Sequence, residues 1–387
     1  PCAKPEPGPR GLKRMNEDIL EKMAGIACDK GLDAIVATSP ENFAYIAGFV
    51  VPSHHVLRWR HSMLVVKPDA SVAAFTVDME ETTVAGRLPS VPLTCWGEFT
   101  ESSMEVFAGL LRDLSLSQGR VAIETDYLPA RDLEILKREL PRVDFVPAQD
   151  LFNHVRMIKT PREIKLLHRL SRISDESIAD ALAAVDAGSS EMVLAAELTR
   201  GIYSRGAQDF KFMIVATGER SQLPNVGASE RLLEDGDVCR VEIFSVIDGY
   251  HAGVCRSAYV TAPPDHAERI WSILSDATER LLEIIKPGAS TRDIYDAYLA
   301  MIAPLDMPPI DFVGHGIGLH LHEDPYLGNA GEWELKPGMV LGIEPLIYRT
   351  GHGFGLQNKD MVAVTEDGCR LLSDTTDTTR LIKCGVH

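Results

Sequence analysis

The stretch FVGHGIGLHLHEDP, residues 312–325, decides the fold together with KPGMVLGIEP, residues 336–345. His315 lies in a glycine-rich run, where missing side chains let a ligand approach the backbone and the imidazole closely. His322 follows in the same stretch, directly before an acidic pair. Glu344 ends an apolar run that is typical of a buried strand, and a buried carboxylate needs a partner. These three side chains are therefore the first candidates for chemistry.

The two motifs resemble the signature of the pita-bread superfamily, which contains methionine aminopeptidase, aminopeptidase P, prolidase and creatinase. Members carry a GHGIG-type histidine, a second histidine before an acidic residue and a PGM…EP glutamate, in the order found here. Residues 156–178, RMIKTPREIKLLHRLSRISDESI, resemble the family's entry into its catalytic domain. Residues 235–260, DGDVCRVEIFSVIDGYHAGVCRSAYV, resemble its metal-bearing hairpin. The resemblance implies an N-terminal α/β creatinase-like domain followed by a C-terminal pita-bread domain, an α+β fold overall.

The pattern of elements indicates the same organisation. After a Pro-rich leader at residues 1–14, helix-like and strand-like stretches alternate, which predicts an α/β domain at residues 1–157 with a mostly parallel or mixed sheet. The second domain is expected at residues 158–387. Its first helix begins with a capping box at residues 160–163. An Asp-Gly pair then predicts a type I′ turn in a hairpin at residues 238–260.

Composition and charge limit the partners. The chain has 387 residues, 45% of them hydrophobic, and 39 Lys and Arg against 56 Asp and Glu give a net charge of −17. This charge argues against nucleic acid and anionic membranes as partners and leaves small molecules. The leader lacks an apolar signal core, and no apolar run reaches the roughly 18 residues of a membrane span, so we expect a cytoplasmic protein. Seven cysteines without paired short spacings predict neither a disulfide framework nor a CxxC zinc site.

The resemblance implies five metal ligands, and two of them are absent. The second aspartate of the hairpin corresponds to Gly253, and the last glutamate falls on Lys359, or on Asn358 with the creatinase spacing. Three donors remain: Glu242, His315 and Glu344. Since a dinuclear site needs about five donors, we expect no such site and no cofactor, with a single zinc on those three donors as the residual alternative. The Lys359 ammonium would then supply the positive charge and keep Glu344 or Glu242 ionised.

A metal-free branch of the superfamily is similar to this chain. Creatinase and ectoine hydrolase cleave C–N bonds of small zwitterions on this fold, and Arg60 is placed like the creatinase arginine that reaches a neighbouring subunit's active site. The creatinase catalytic histidine corresponds to Asn225, however, and its hairpin glutamate corresponds to Cys255. Both differences remove acid–base capacity, so we do not expect creatine itself as the substrate.

The hairpin register places further candidates beside Glu242. A two-residue turn pairs Glu242 with Cys255, and it directs His251 and Gly253 to the same face. Because a carboxylate raises the pKa of a neighbouring thiol, Cys255 is expected to line the pocket unless an imidazolium or Lys359 activates it as a nucleophile. Glu242 could instead be a structural partner of an arginine on the hairpin.

The histidines and Arg60 each have two interpretations. His315 and His322 could be structural, but their place in the matched motifs favours proton transfer. His320 shares the face of His322 if the segment is extended, and it could replace either histidine. Arg60 lies in a cluster at residues 54–61 that is either a solvated loop or the carrier of a carboxylate-binding guanidinium.

These observations predict a homodimer with a shared active site that hydrolyses an amide, amidine or Xaa-Pro peptide C–N bond in a small, zwitterionic or Xaa-Pro-like substrate. Histidine would move protons, the glutamates would orient or activate water, and the cations would hold negative charge. The predicted catalytic residues are His315, His322, Glu344 and Glu242, and the predicted substrate-binding residues are Arg60, Asn225, Cys255, Lys359, His320 and His251. Two alternatives stay open: a non-catalytic binding module and a lyase that acts by elimination.

Overall fold

The computed structural model describes residues 15–330 and 332–386. The chain divides into two compact units, Pro1–Val155 and Arg156–His387. The Pro-rich leader expected at residues 1–14 lies outside the described residues. Within the described part of the chain, no helix is both long enough and apolar enough to cross a membrane.

The first unit is an α/β structure built on one six-stranded sheet. Its elements are α1 Glu17–Asp29, β1 Ala34–Ala37, α2 Pro40–Ala47, β2 Met63–Val66, β3 Val72–Val77, α3 Glu81–Arg87, β4 Leu93–Trp96, α4 Ser103–Asp113, β5 Gly119–Ile123, α5 Ala130–Glu139 and β6 Val143–Pro147, and α6 Gln149–Met157 follows. The strand order is β4-β3-β2-β1-β5-β6. The pairs β3–β4, β1–β5 and β5–β6 are parallel, and β1–β2 and β2–β3 are antiparallel. The expected mixed sheet is confirmed.

Aromatic packing between sheet and helix forms the core of this unit. Phe75 on β3 and Phe107 on α4 meet edge to face with their ring centroids 5.1 Å apart. Both side chains are fully buried in one cluster with strand residues on either side. Such burial stabilises the unit by roughly 1.5–3 kcal/mol for each large apolar side chain.

The second unit combines four long helices with sheets that are antiparallel except where Ile382–Lys383 pairs in parallel with Tyr250–Tyr259. Its elements are α7 Pro161–Ala183, α8 Glu191–Ser204, β7 Asp209–Thr217, β8 Val238–Ile247, β9 Tyr250–Tyr259, α9 Ala267–Ile284, α10 Thr291–Ile302, β10 Phe312–Gly316, β11 Glu323–Gly328, β12 Val340–Ile343, β13 Leu346–Ile347, β14 Leu356–Gln357, β15 Asp360–Val364, β16 Cys369–Leu371 and β17 Ile382–Lys383. One sheet has the order β11-β10-β12-β15-β16, another has the order β17-β9-β8-β7, and β13 pairs with β14.

Two local signals predicted from the sequence are present in this unit. The Thr160 hydroxyl accepts a hydrogen bond from the Glu163 backbone, and the Glu163 carboxylate accepts one from the Thr160 backbone, which is the capping box that begins α7. Asp248 and Gly249 have φ values of 50° and 87°, as a type I′ turn requires. The turn sets the hairpin register, in which Glu242 is opposite Cys255.

A buried arginine holds the two main sheets of this unit together. The Arg256 guanidinium on β9 contacts Asp175 on α7 at 2.9 Å and Asp360 on β15 at 2.8 Å. It also donates to the backbone carbonyl of Lys359 at 2.9 Å. Because all of these groups are buried, the pairing fixes where residues 357–360 lie against the hairpin.

Candidate active site

The candidate site is a buried cluster around the Lys359 ammonium. Its Nζ lies 3.2 Å from Glu242 Oε1, 3.4 Å from Glu344 Oε2 and 3.2 Å from His315 Nε2. The side chains are almost without solvent contact, with 0% of His315, 1% of Lys359, 4% of Glu242 and 5% of Glu344 exposed. The structure therefore brings together four residues that the sequence predicted for the site.

Strand pairing explains how four distant segments meet here. His315 on β10 is opposite Gly342 on β12. Glu344 follows β12 directly, and its backbone donates to the Val313 carbonyl at 2.8 Å. Lys359, between β14 and β15, forms a bridge with Cys255. Since Cys255 is itself opposite Glu242, the hairpin carboxylate comes beside the lysine.

The two carboxylates share a side-chain amide that the sequence analysis missed. Gln357 Nε2 donates to Glu344 Oε2 at 3.1 Å and to Glu242 Oε2 at 3.3 Å. Its Oε1 accepts a hydrogen bond from Arg240 Nη1 at 2.9 Å, so the amide group cannot rotate by 180° without losing this contact. Gln357 stands two residues before Lys359, a spacing that could have indicated a common face.

Electrostatics keeps the carboxylate and the ammonium of this cluster charged. Burial alone would raise the pKa of the Glu344 carboxyl, but Lys359 and His315 outweigh it and hold that pKa well below its ordinary value. Burial would likewise lower the pKa of the Lys359 ammonium, whereas Glu344 and Glu242 raise it above its ordinary value. Each charge is stable in the interior because the other is present.

Both nitrogens of the His315 ring have polar partners. Its Nδ1 lies 2.7 Å from the Gly316 carbonyl, which can only accept, so Nδ1 carries the proton. Nε2 lies 3.2 Å from the Lys359 ammonium and 3.1 Å from Glu344 Oε1, so it faces a cation and an anion at once. Gly316 also has a packing reason to be a glycine, because a Cβ there would lie 2.7 Å from the Asp324 carbonyl carbon. That glycine makes room for β11.

His322 is the part of the cluster that reaches solvent. Its ring stacks on that of His315, with centroids 3.9 Å apart and an interplanar angle of 18°, while the residue is exposed. Partial desolvation, His315 and Lys359 together lower its pKa to about 4, against a smaller opposing effect of Glu344. The ring is therefore neutral at pH 7 and free to accept a proton.

A buried glutamate sets the path of the loop that carries His322. Glu323 accepts hydrogen bonds from the Leu319 and His320 backbones at 3.0 and 3.1 Å, and its carboxylate lies 3.0 Å from Lys159 Nζ. Residues 318–322 are consequently bent and not extended. The condition under which alternation would place His320 on the face of His322, an extended segment, is therefore not met.

The hairpin has no room for a second ligand. Gly253 is opposite Phe244, and a Cβ built on Gly253 would lie 2.6 Å from Cδ1 of the Phe244 ring. The same ring lies under the Lys359 ammonium, with Nζ 4.7 Å from the centroid. Phe244 was missed from the sequence, although it follows Glu242 by two residues on the same strand.

Cys255 and His251, also on β9, have structural contacts. Burial first, and Glu242 second, raise the pKa of the Cys255 thiol well above its ordinary value, which excludes a thiolate nucleophile. His251 is buried, and its Nδ1 lies 3.1 Å from the Gly318 carbonyl, so the ring fastens the loop that leads to His322.

Asn225 and Arg60 lie outside the buried cluster. Asn225 is exposed on a loop whose Pro224 carbonyl accepts from the Arg240 guanidinium at 3.1 Å. Arg60 belongs to the first unit, where its Nε contacts Glu98 Oε1 at 2.8 Å. The interpretation of residues 54–61 as a solvated loop is wrong in part, because His54 and His61 are buried.

A metal ion does not fit this donor set. The three remaining donors of the implied metal site surround an ammonium, which repels a cation and occupies the space between them. Residues 15–330 and 332–386 contain no group of three or more His, Cys, Asp or Glu side chains arranged to hold a metal. The single-zinc alternative on Glu242, His315 and Glu344 meets the same obstacle.

Comparison with known proteins identifies the family. Residues 165–366 match the model of metallopeptidase family M24, and residues 20–158 match the creatinase/prolidase N-terminal domain. A Pyrococcus furiosus Xaa-Pro dipeptidase is 26% identical, covering 93% of this chain and 98% of its own. An uncharacterised peptidase of Bacillus subtilis is 28% identical, covering 92% and 97%. The structure of an Xaa-Pro dipeptidase from Bacillus anthracis has a TM-score of 0.82 at 26% identity, covering 95% and 100%. The pita-bread resemblance is confirmed, and the chain belongs to metallopeptidase family M24, with a creatinase/prolidase N-terminal domain.

Proposed function

We propose that this chain hydrolyses the C–N bond of a small substrate, an Xaa-Pro-like dipeptide or a related zwitterionic amide or amidine, without a metal ion. Support for the bond type comes from the relatives, which include proteins named Xaa-Pro dipeptidase. Support for metal independence comes from Lys359, whose ammonium occupies the centre of the donor set.

The observation that carries the mechanism is the neutral, exposed His322 ring stacked on the buried cluster. Of the four predicted catalytic residues, only His322 is exposed, since His315, Glu242 and Glu344 are buried. His322 is therefore placed to meet substrate and water, and the other three support it. This refines the expectation that either histidine could move protons.

His322 can act first as base and then as acid. It takes a proton from the water that attacks the substrate carbon, and it returns that proton to the leaving nitrogen as the C–N bond breaks. The His322 imidazolium formed between these steps gives its proton up readily, because burial, His315 and Lys359 all lower its pKa. The negative charge of Glu344 partly offsets the free energy needed to protonate His322.

We also propose that the chain is a cytoplasmic homodimer with domains at residues 1–157 and 158–387, and that its two protomers share an active site. In the first unit, Trp59 and Phe99 are 61% and 90% exposed. Trp59 Nε1 and Arg60 Nε both donate to Glu98, the residue before Phe99. Exposed aromatic side chains beside an arginine are typical of a protein interface. The Arg60 loop would then approach the partner's substrate, as in creatinase.

A binding module without activity is the second candidate. The observation in its favour is that the ammonium and both carboxylates satisfy one another without any ligand. A lyase would use His322 to remove a proton from carbon instead of from water.

One experiment separates these functions. Purified protein is incubated with Xaa-Pro dipeptides and small zwitterionic amides in H₂18O, and the products are analysed by mass spectrometry. Hydrolysis places the label in the acid product, and elimination gives an unlabelled unsaturated product. A binding module gives no product at all. His322→Ala should abolish turnover, while His352→Ala, which removes an exposed histidine stacked on His266, should leave it unchanged. Turnover that survives His322→Ala contradicts the proposed mechanism.

A further inference from the structure

We infer that the second unit contains a latent metal site that Lys359 and Phe244 actively block, each excluding one cation. The inference deepens the metal independence proposed above and rests on it. It goes beyond the loss of ligands, because it predicts that a carboxylate at position 359 restores metal binding whereas an aspartate at position 253 alone does not.

Lys359 blocks the position between the remaining donors. The distances from Nζ to Glu242, Glu344 and His315, 3.2, 3.4 and 3.2 Å, are those of hydrogen bonds and ion pairs, so the ammonium fills this space. Glu242 and Glu344 are also held in place from the other side by Gln357. The donors are thus pre-arranged around one positive charge, and exchanging the lysine for a carboxylate leaves four donors without repositioning any strand.

Phe244 blocks the space beside it. Its ring lies over Gly253, where the built Cβ would approach ring carbon Cδ1 to 2.6 Å, so an aspartate cannot enter unless the ring leaves. The ring also faces the ammonium as a cation–π partner. Restoring the aspartate alone therefore adds no usable ligand, and the glycine and the phenylalanine act as a matched pair.

The test measures metal content, not activity. Wild type and variants are purified without added metal, dialysed against Mn²⁺ or Zn²⁺ and then against buffer, and analysed by inductively coupled plasma mass spectrometry. Wild type is expected to retain no metal and to show no metal-dependent change in Tm. Lys359→Glu should retain about one ion per chain, and its Tm should rise with metal concentration. Lys359→Met is the matched control, because it removes the charge without adding a donor.

The second metal position is tested on the Lys359→Glu background. Adding Gly253→Asp should leave the content at about one ion per chain, because the ring still fills the space. Adding both Gly253→Asp and Phe244→Ala should raise it to about two. If the triple variant holds no more metal than the double variant, Phe244 does not block a site.

Three further outcomes decide the inference about Lys359. Tight metal binding by wild type overturns it, since the ammonium would then be displaced. A folded Lys359→Glu variant that retains no metal also overturns it. If Lys359→Glu fails to fold, Lys359→Ala leaves three donors around an open cavity and should show a metal-dependent rise in Tm that Lys359→Met lacks. Equal behaviour of those two variants overturns the inference, whereas a wild type that is metal-free but inactive contradicts only the proposed function.

Discussion

The Lys359 ammonium lies 3.2 Å from Nε2 of His315. The same Nε2 lies 3.1 Å from Glu344 Oε1, while Nδ1 donates to the Gly316 carbonyl. The ammonium, the imidazole and the Glu344 carboxylate thus share one buried space. The family resemblance implies metal ions at these donors, but in this chain a lysine side chain supplies the positive charge.

Removal of that charge should disable the site while the fold stays intact. Lys359→Met keeps the length of the side chain and loses the ammonium. We expect turnover to fall by about 100-fold or more, the usual effect of a lost electrostatic stabiliser. Because Lys359 holds the pKa of Glu344 low, the variant's carboxyl pKa should rise, and the acidic limb of the pH–rate profile should move to higher pH. An unchanged rate and profile would favour the binding module.

Gln357 should act as a positioning residue through the two carboxylates. Gln357→Leu removes the amide that donates to Glu242 and Glu344. The two side chains are then held less firmly, and they lose a hydrogen bond that stabilises the carboxylate form. We expect kcat to fall by about tenfold and the acidic limb of its pH profile to move upward. Gln222→Leu, the same exchange outside the cluster, is the control. A change in stability alone, with the pH profile unmoved, would reduce Gln357 to a structural role.

Glu323 should make stability depend on acid pH. Burial raises its pKa, but Lys159 and Arg156 outweigh burial and lower it to about 2 in the folded chain, against about 4.3 when unfolded. Since the folded pKa is depressed, this stabilisation is present above about pH 4.3 and is lost as pH falls toward 2. Glu323→Gln leaves two buried cations without their anion and should cost about 3–5 kcal/mol of unfolding free energy in urea titrations at pH 7. A smaller pH dependence in wild type than in the variant would contradict this sign.

The proposed shared site predicts complementation between subunits. His315→Ala and Arg60→Ala each remove one part of the site, and both homodimers should be inactive. Mixing the two subunits after mild denaturation should restore activity, because a hybrid dimer contains one site with neither exchange. Arg58→Ala is the control, because it removes a neighbouring arginine whose side chain donates to the Tyr127 carbonyl. Failure of the mixture to regain activity would exclude a site shared through the Arg60 loop.

The local elements and the motif residues could be predicted because each has a short-range physical signature. The Asp248-Gly249 turn sets the hairpin register that places Glu242 opposite Cys255. His315 and Glu344 come from adjacent strands, and their meeting follows from the family resemblance. The mixed sheet of the first unit likewise follows from its alternating elements.

The errors arise where a distant contact overrides a local pattern. Strand alternation could apply to His320 only in an extended segment, but the buried Glu323 binds the His320 backbone and bends the loop. Likewise, nothing near Arg60 in the sequence shows that Glu98, 38 residues away, neutralises it. Gln357 and Phe244 were within reach, since each stands two residues from a predicted site residue, but an amide and an aromatic ring do not suggest a role until their partners are known.

Whether the Lys359 ammonium replaces the metal ions is tested by measuring metal content and turnover on the same wild-type sample. The protein is purified with a chelator throughout, its metal content is determined, and the rate on the best substrate of the panel is compared before and after adding Mn²⁺, Co²⁺ or Zn²⁺. If Lys359 replaces the metal, we expect full turnover in metal-free protein and no gain when metal is added. Turnover that rises in proportion to bound metal would contradict it.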